Sequence, residues 1–203
     1  MLEDRRLYLV TGVRPDLEDF LAAAVAGGVD IVQVRERTLS DRELVAALER
    51  AREVTRELRV PLVVNDRTDL AVLVGADFVH LGQDDVPVEL AARLGCQAGL
   101  STHTPAEIDG TPPAAAYIGV GPVHATPTKP GRPAVGLELV RYAAHHARVP
   151  WFAIGGIDES NVDAVVEAGA TRVAVVRAIG EAADPAQAAR TLHDALTRTG
   201  VAA

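Results

Sequence analysis

Lys129 is the one lysine of this chain; every other member of its 20 basic residues is arginine. An ammonium is compact and mobile where a guanidinium is a planar fork, so a single lysine among arginines points to a position that needs the former. It stands in the run Gly121-Pro122-Val123-His124-Ala125-Thr126-Pro127-Thr128-Lys129-Pro130-Gly131. Hydroxyls, backbone N–H groups and an ammonium in a proline-constrained loop make a good phosphate clamp. A second cationic run is Gln33-Val34-Arg35-Glu36-Arg37. Alternation sends Gln33, Arg35 and Arg37 to one side, where two guanidiniums suit a polyphosphate. The alternative there is an ion pair with an acid such as Asp66.

Carboxylates recur in Asn65-Asp66 and in His80-Leu81-Gly82-Gln83-Asp84-Asp85. Asp66 and one of Asp84 and Asp85, brought together, would seat Mg2+ with several retained waters. The competing reading makes Asp85 a helix cap before Pro87 and pairs Asp66 with Arg35. In Ser101-Thr102-His103-Thr104 the hydroxyls either bind a ligand or cap a helix, with capping favoured for Thr104. Gly155-Gly156-Ile157-Asp158 allows close backbone approach, and Val176-Arg177 leads into the last helix. His80, His103 and His124 could ligate zinc, but the aspartates favour a harder ion. No organised Ser–His–Asp or Cys–His set appears.

These segments need a scaffold that gathers them. Short continuous apolar runs fall at residues 7–10, 31–34, 62–64, 78–81, 98–100, 117–120, 151–154 and 173–176. Continuous rather than alternating runs are expected of parallel strands buried on both faces. Helical patterns fill the gaps at 16–26, 41–58, 69–74, 88–94, 105–108, 137–146, 161–168 and 185–197. Ser40 with Glu43 forms the capping box that opens the second. Strands and helices alternating in this way predict an α/β fold, a (β/α)8 TIM barrel. A doubly wound open sheet is the runner-up. With no linker or low-complexity tract, residues 1–203 read as a single TIM-barrel domain. Each segment above then lies just past the C-terminal end of a strand, where barrels of this kind keep their working residues.

Composition narrows the classes further. The 203 residues are 48% apolar, enough for one sizeable core, and 24% charged, which argues against disorder. One cysteine, Cys96, excludes an internal disulfide framework and a thiolate zinc site. A net charge of −8 leaves no electrostatic footprint for nucleic acid. No apolar run is long enough to span a membrane, and the charged start MLEDRR lacks a signal-peptide core, so a cytoplasmic location is expected. Exposed barrel helices leave a homo-oligomer open.

Taken together and in this order, the segments resemble the thiamine-phosphate synthase family. The likeness rests on Gln33 to Arg37, Asn65-Asp66, His80 to Asp85, Gly99-Leu100-Ser101-Thr102-His103-Thr104, Gly121-Pro122 with Thr126 to Lys129, and Ile154-Gly155-Gly156-Ile157. It spans nearly the whole chain. It implies a Mg2+-dependent transferase that joins two phosphorylated heterocycles. These are 4-amino-2-methyl-5-hydroxymethylpyrimidine diphosphate and 4-methyl-5-(2-hydroxyethyl)thiazole phosphate, and the products are thiamine phosphate and pyrophosphate. By resemblance, Gln33, Val34, Arg35, Glu36, Arg37, Asn65, Ser101 and Lys129 contact the pyrimidine diphosphate. Arg35, Arg37 and Lys129 are catalytic through the charge they bring to the departing pyrophosphate. Asp66 and Asp85 hold Mg2+. Thr126, Pro127, Thr128, Gly156, Val176 and Arg177 bind the thiazole phosphate. Two positions depart from the family pattern, Arg37 where lysine is usual and Arg177 where serine is. The nearest rival is the thiazole tautomerase relative, which tends to lack the T-x-T-K clamp and carries histidine where this chain has Pro122. A phosphosugar epimerase would leave Arg35, Arg37 and Lys129 unexplained, and a non-catalytic thiazole-phosphate-binding regulator would bind without turnover.

Overall fold

In the computed structural model, residue 2 and residues 4–126 and 133–198 are described. Pro127, Thr128 and Lys129 therefore lie outside the described residues. The elements run β1 (Leu7–Thr11), α1 (Leu17–Ala26), β2 (Ile31–Val34), α2 (Asp41–Glu57), β3 (Leu62–Asn65), α3 (Thr68–Leu73) and β4 (Phe78–Leu81). They continue α4 (Val88–Arg93), β5 (Gln97–Thr102), α5 (Pro105–Asp109), β6 (Ala115–Val120), α6 (Gly136–His146), β7 (Trp151–Ile154) and α7 (Val162–Glu167). Last come β8 (Val173–Val175), α8 (Arg177–Gly180) and α9 (Pro185–Arg198). The strands close in sequence order, all parallel, and β8 returns to β1 with Tyr8 opposite Ala174. Closure removes the open-sheet alternative and bears out the (β/α)8 expectation. The short turn α8, directly after β8, was not anticipated.

Two apolar layers explain why the strand runs are continuous. Leu7, Leu9, Val32, Val34, Leu62, Val64, Val79 and Leu81 face the helices and join the larger core with Leu21, Leu48 and Leu192. Alternate residues Tyr8, Val10, Val63, Phe78, Tyr117, Phe152 and Ala174 fill the barrel interior as a second, separate cluster. Each strand is thus apolar on both sides, as buried parallel sheets require. Among the described residues no helix is long and apolar enough to cross a membrane.

The expected box at α2 is present: Ser40 Oγ accepts from Glu43 N at 3.4 Å, and Glu43 Oε2 accepts from Ser40 N at 3.0 Å. Ser40→Ala removes one half of that reciprocal pair at an exposed helix start. It is expected to cost about 1 kcal/mol, read as a lower denaturant midpoint at unchanged slope.

Candidate active site

The C-terminal mouth of the barrel opens into a cavity of about 300 Å³. Of the residues singled out in the sequence, Gln33, Arg35, Asn65, Ser101, Thr126, Gly156, Val176 and Arg177 line it. They arrive from two sides. Gln33 lies one residue before the end of β2, with Arg35 just beyond, Asn65 ends β3, and Ser101 lies one residue before the end of β5; Thr126, Gly156, Val176 and Arg177 follow β6, β7 and β8. Val34 instead faces the helix layer, 1% exposed, so it offers the site only its backbone. Glu36 folds onto its own loop, where Oε1 accepts from Arg37 N (2.7 Å), Thr38 N (2.8 Å) and Thr38 Oγ1 (2.7 Å). Those bonds, led by the Thr38 hydroxyl, hold its pKa below the usual range.

Asp66 takes a left-handed backbone (φ 60°), a conformation that Asp and Asn tolerate better than most side chains. Its carboxylate accepts from Arg37 Nη2 at 2.8 Å, with the Asp66 side chain 25% and the Arg37 side chain 61% exposed. The ion pair weighed from sequence therefore exists, but its cation is Arg37 and not Arg35. Burial raises the Asp66 pKa, the Arg37 guanidinium opposes the rise, and the adjacent Asp85 carboxyl adds to it. Asp85 does not cap a helix. Its Oδ2 accepts from Gly82 N at 2.6 Å, closing the turn after β4, and Pro87 is the residue that precedes α4. Thr104 does cap, accepting from Glu107 N at 3.2 Å.

Arg35 is left for the cavity. Burial first, then the Arg37 charge beside it, push its pKa below the ordinary arginine value. Asn65 is 8% exposed, and its Nδ2 is a buried donor with no hydrogen-bond partner among the described residues. A buried amide without a partner is costly unless something else satisfies it, so this atom marks a place for an acceptor.

Across the mouth, Gly155 (φ 108°) and Gly156 (φ 63°) have conformations that a side chain would strain. A Cβ on Gly155 would lie 2.6 Å from Pro122, and one on Gly156 would lie 2.7 Å from His124 Cβ. The two glycines thus let the loop after β7 pack against the loop after β6. The contact is tied by Val123 N to Ile154 O and His124 N to Gly155 O, both 2.9 Å. Asn161 Nδ2 donates to Gly156 O at 2.9 Å and holds this glycine at the cavity wall.

Sequence reading missed the aromatic floor. Tyr8, Tyr117 and Phe152 also line the cavity, beside His80 and His103, which the sequence singled out only as possible metal ligands and motif residues. The alternation of Tyr8 with Leu7 and Leu9, and of Tyr117 with Ile118, carried the signal, but continuous apolar runs hide which parity faces inward. The His80 ring nitrogens lie 3.1 Å from Tyr117 Oη and 2.9 Å from Ser101 Oγ. Among the described residues no group of three or more His, Cys, Asp or Glu could hold a metal ion.

A closed parallel barrel with a polar, glycine-lined cavity at its C-terminal mouth has the architecture of a (β/α)8-barrel enzyme. Comparison with known proteins narrows this. Residues 7–179 match the model of the thiamine monophosphate synthase family. A thiamine-phosphate synthase of Thermobifida fusca is 52% identical over 99% of this chain and 96% of its own length. One from Thermus thermophilus is 49% identical over 94% and 97%, respectively. A solved thiamine phosphate pyrophosphorylase from Pyrococcus furiosus superposes with a TM-score of 0.86 at 30% identity, covering 95% of this chain and 96% of that one. The chain belongs to the thiamine monophosphate synthase family, whose members are transferases.

Proposed function

We propose that this chain couples 4-amino-2-methyl-5-hydroxymethylpyrimidine diphosphate to 4-methyl-5-(2-hydroxyethyl)thiazole phosphate, giving thiamine phosphate and pyrophosphate in the cytoplasm. One observation carries the assignment of residues: two sets of polar groups, from opposite sides of the barrel, converge on a single cavity. Gln33, Arg35, Asn65 and Ser101 take the pyrimidine diphosphate, with the unpartnered Asn65 amide as a ready donor. Arg37 and Glu36 shape the loop beside it. Thr126, Gly156 and the Val176-Arg177 start of α8 take the thiazole phosphate, joined by Pro127 and Thr128. The family resemblance assigns Lys129 to the diphosphate as well.

The reaction breaks the C–O bond to pyrophosphate and forms a C–N bond from the thiazole nitrogen lone pair. It needs no protein nucleophile. What it needs is compensation of the charge that grows on the leaving group and a nucleophile held close to the carbon it attacks. Arg35, Arg37 and Lys129 supply the first, and the thiazole phosphate cradle supplies the second. Residues Asp66 and Asp85 fit Mg2+: they are two carboxyl groups in contact, one partly buried, and that ion commonly binds one or two carboxylates plus substrate phosphates. When bound there it would neutralise diphosphate charge.

Pyrophosphate release is the direct assay. It is expected only when both heterocycles and Mg2+ are present together. Release from the pyrimidine diphosphate alone, or turnover of the thiazole alone, would assign a different reaction to this cavity.

A further inference from the structure

Beneath the mouth, five side chains form one unbroken hydrogen-bond chain across the barrel. Gln33 Nε2 donates to Tyr8 Oη (2.5 Å), Tyr8 Oη meets Tyr117 Oη (2.8 Å), Tyr117 Oη meets His80 Nδ1 (3.1 Å), and His80 Nε2 meets Ser101 Oγ (2.9 Å). Tyr8 and Tyr117 are 2% and 1% exposed, edge to face at 5.9 Å, and His80 stacks on Tyr117 at 5.6 Å. Gly99 makes the crossing possible, because a methyl group there would overlap the Tyr117 ring. The two ends of the chain, Gln33 and Ser101, both line the cavity.

Each link between those ends has a single proton to give. A phenol has one, and a neutral imidazole has one. An amide nitrogen can only donate, so with Gln33 Nε2 turned to Tyr8 every proton of the chain finds an acceptor only when each later bond runs the same way. Tyr8 donates to Tyr117, Tyr117 donates to His80 Nδ1, and the His80 proton sits on Nε2 and goes to Ser101. Two atoms then remain for a ligand. Gln33 Oε1, which accepts nothing among the described residues, is an acceptor, and the Ser101 hydroxyl proton is a donor. Turning the amide over reverses every bond, making Gln33 a donor and Ser101 an acceptor. A mixed state would leave a phenol proton without an acceptor, or set two lone pairs against each other, beside Phe78, Phe152 and Ala174.

We propose that Tyr8, Tyr117 and His80 are positioning residues, a directional chain that keeps Gln33 an acceptor whenever Ser101 is a donor. The chain thereby selects a substrate ring bearing an amino group over its oxo counterpart. The proposal rests on the reading above that Gln33 and Ser101 take the pyrimidine diphosphate, with its diphosphate end at Ser101. A diphosphate has only acceptors to offer, so its seat beside Ser101 fixes the polarity in which Gln33 receives an N–H. Tyr8, Tyr117 and His80 act through the two residues that meet the ligand.

Two readouts test this. In protein labelled with 15N at histidine and saturated with pyrophosphate and Mg2+, His80 is expected as a single neutral tautomer protonated at Nε2. Tyr117→Phe removes the donor to Nδ1 and is expected to mix the tautomers. In turnover with thiazole phosphate and Mg2+, the wild type is expected to prefer the 4-amino pyrimidine diphosphate over its 4-oxo analogue by about 100-fold or more in kcat/KM, as a site built around directed hydrogen bonds should. Tyr117→Phe and, separately, Tyr8→Phe are expected to bring that preference below about tenfold, in variants whose cooperative thermal unfolding shows them folded. An unchanged preference in both variants, or a wild-type His80 protonated at Nδ1, would overturn the proposal. If the wild type turns over neither pyrimidine, the functional reading and the selection fall together. The histidine tautomer then reports separately that the chain's polarity exists without that use.

Discussion

Arg35→Ala is expected to lower kcat/KM for the pyrimidine diphosphate by about 10²–10³-fold, the range seen when one preorganised charge-stabilising contact is lost. Arg35 is held in a cavity with Arg37 beside it, and burial first, then that neighbour, disfavour its charge. A polyanion entering the mouth relieves both. At a separation of 4 Å such a contact is worth about 1 kcal/mol in water but about 4 at an effective dielectric of 20. Part of that stabilisation grows only as the C–O bond breaks, so kcat should fall along with kcat/KM. Arg35→Lys keeps the charge and loses the planar fork, and should recover part of the rate. The KM for thiazole phosphate should move little, since the cradle proposed for it comes from the ends of β6, β7 and β8. Steady-state kinetics at saturating thiazole phosphate measure all of this. A loss under about fivefold, roughly 1 kcal/mol, would remove Arg35 from the charge balance of the reaction.

Asp66→Asn should separate function from stability. The substitution keeps a residue type that accepts the left-handed backbone at φ 60°, whereas alanine would strain it. It removes a negative charge that the fold does not favour: burial and Asp85 raise the Asp66 pKa despite the bond from Arg37. The sign follows by linkage. A carboxyl whose folded-state pKa lies above its unfolded value is less stable charged, and its contribution to stability declines as pH rises between those two values. At neutral pH the neutral isostere should therefore unfold no earlier than the parent. Activity should move the other way, with turnover down by about 10²-fold and the Mg2+ concentration for half-maximal rate up by about tenfold, as for loss of one carboxylate ligand. Thermal unfolding and a Mg2+ titration of pyrophosphate release together decide it. A variant that keeps the parent's Mg2+ dependence would take Asp66 out of the metal site.

Much of the molecule was legible in the chain. Eight apolar runs separated by capped helical patterns specify a barrel, because strand burial on both faces and helix amphipathicity are written in neighbouring residues. Ser40 with Glu43, and Thr104 before Pro105, are bonds across three residues, and both formed as read. The place of the polar segments also followed, since a residue just after a parallel strand must emerge at the same end as its counterparts. Gln33, Arg35, Asn65, Ser101, Thr126, Gly156, Val176 and Arg177 meet at one cavity for that reason.

Partner choice among those residues is a different matter. Whether Asp66 takes Arg35 or Arg37 depends on side-chain reach across two loops, and spacing along the chain does not tell them apart. That Val34 faces the helices while Gln33 faces the cavity is a matter of parity, which continuous apolar strands conceal. The chain from Gln33 to Ser101 links residues as far as 109 positions apart, at Tyr8 and Tyr117. Only the closing of β8 onto β1 makes the barrel interior narrow enough for two phenols to touch across it. Residue types set which contacts were chemically available; barrel closure and strand register decided which of them were made, because hydrogen bonds and ion pairs are satisfied over a few ångströms that no local pattern encodes.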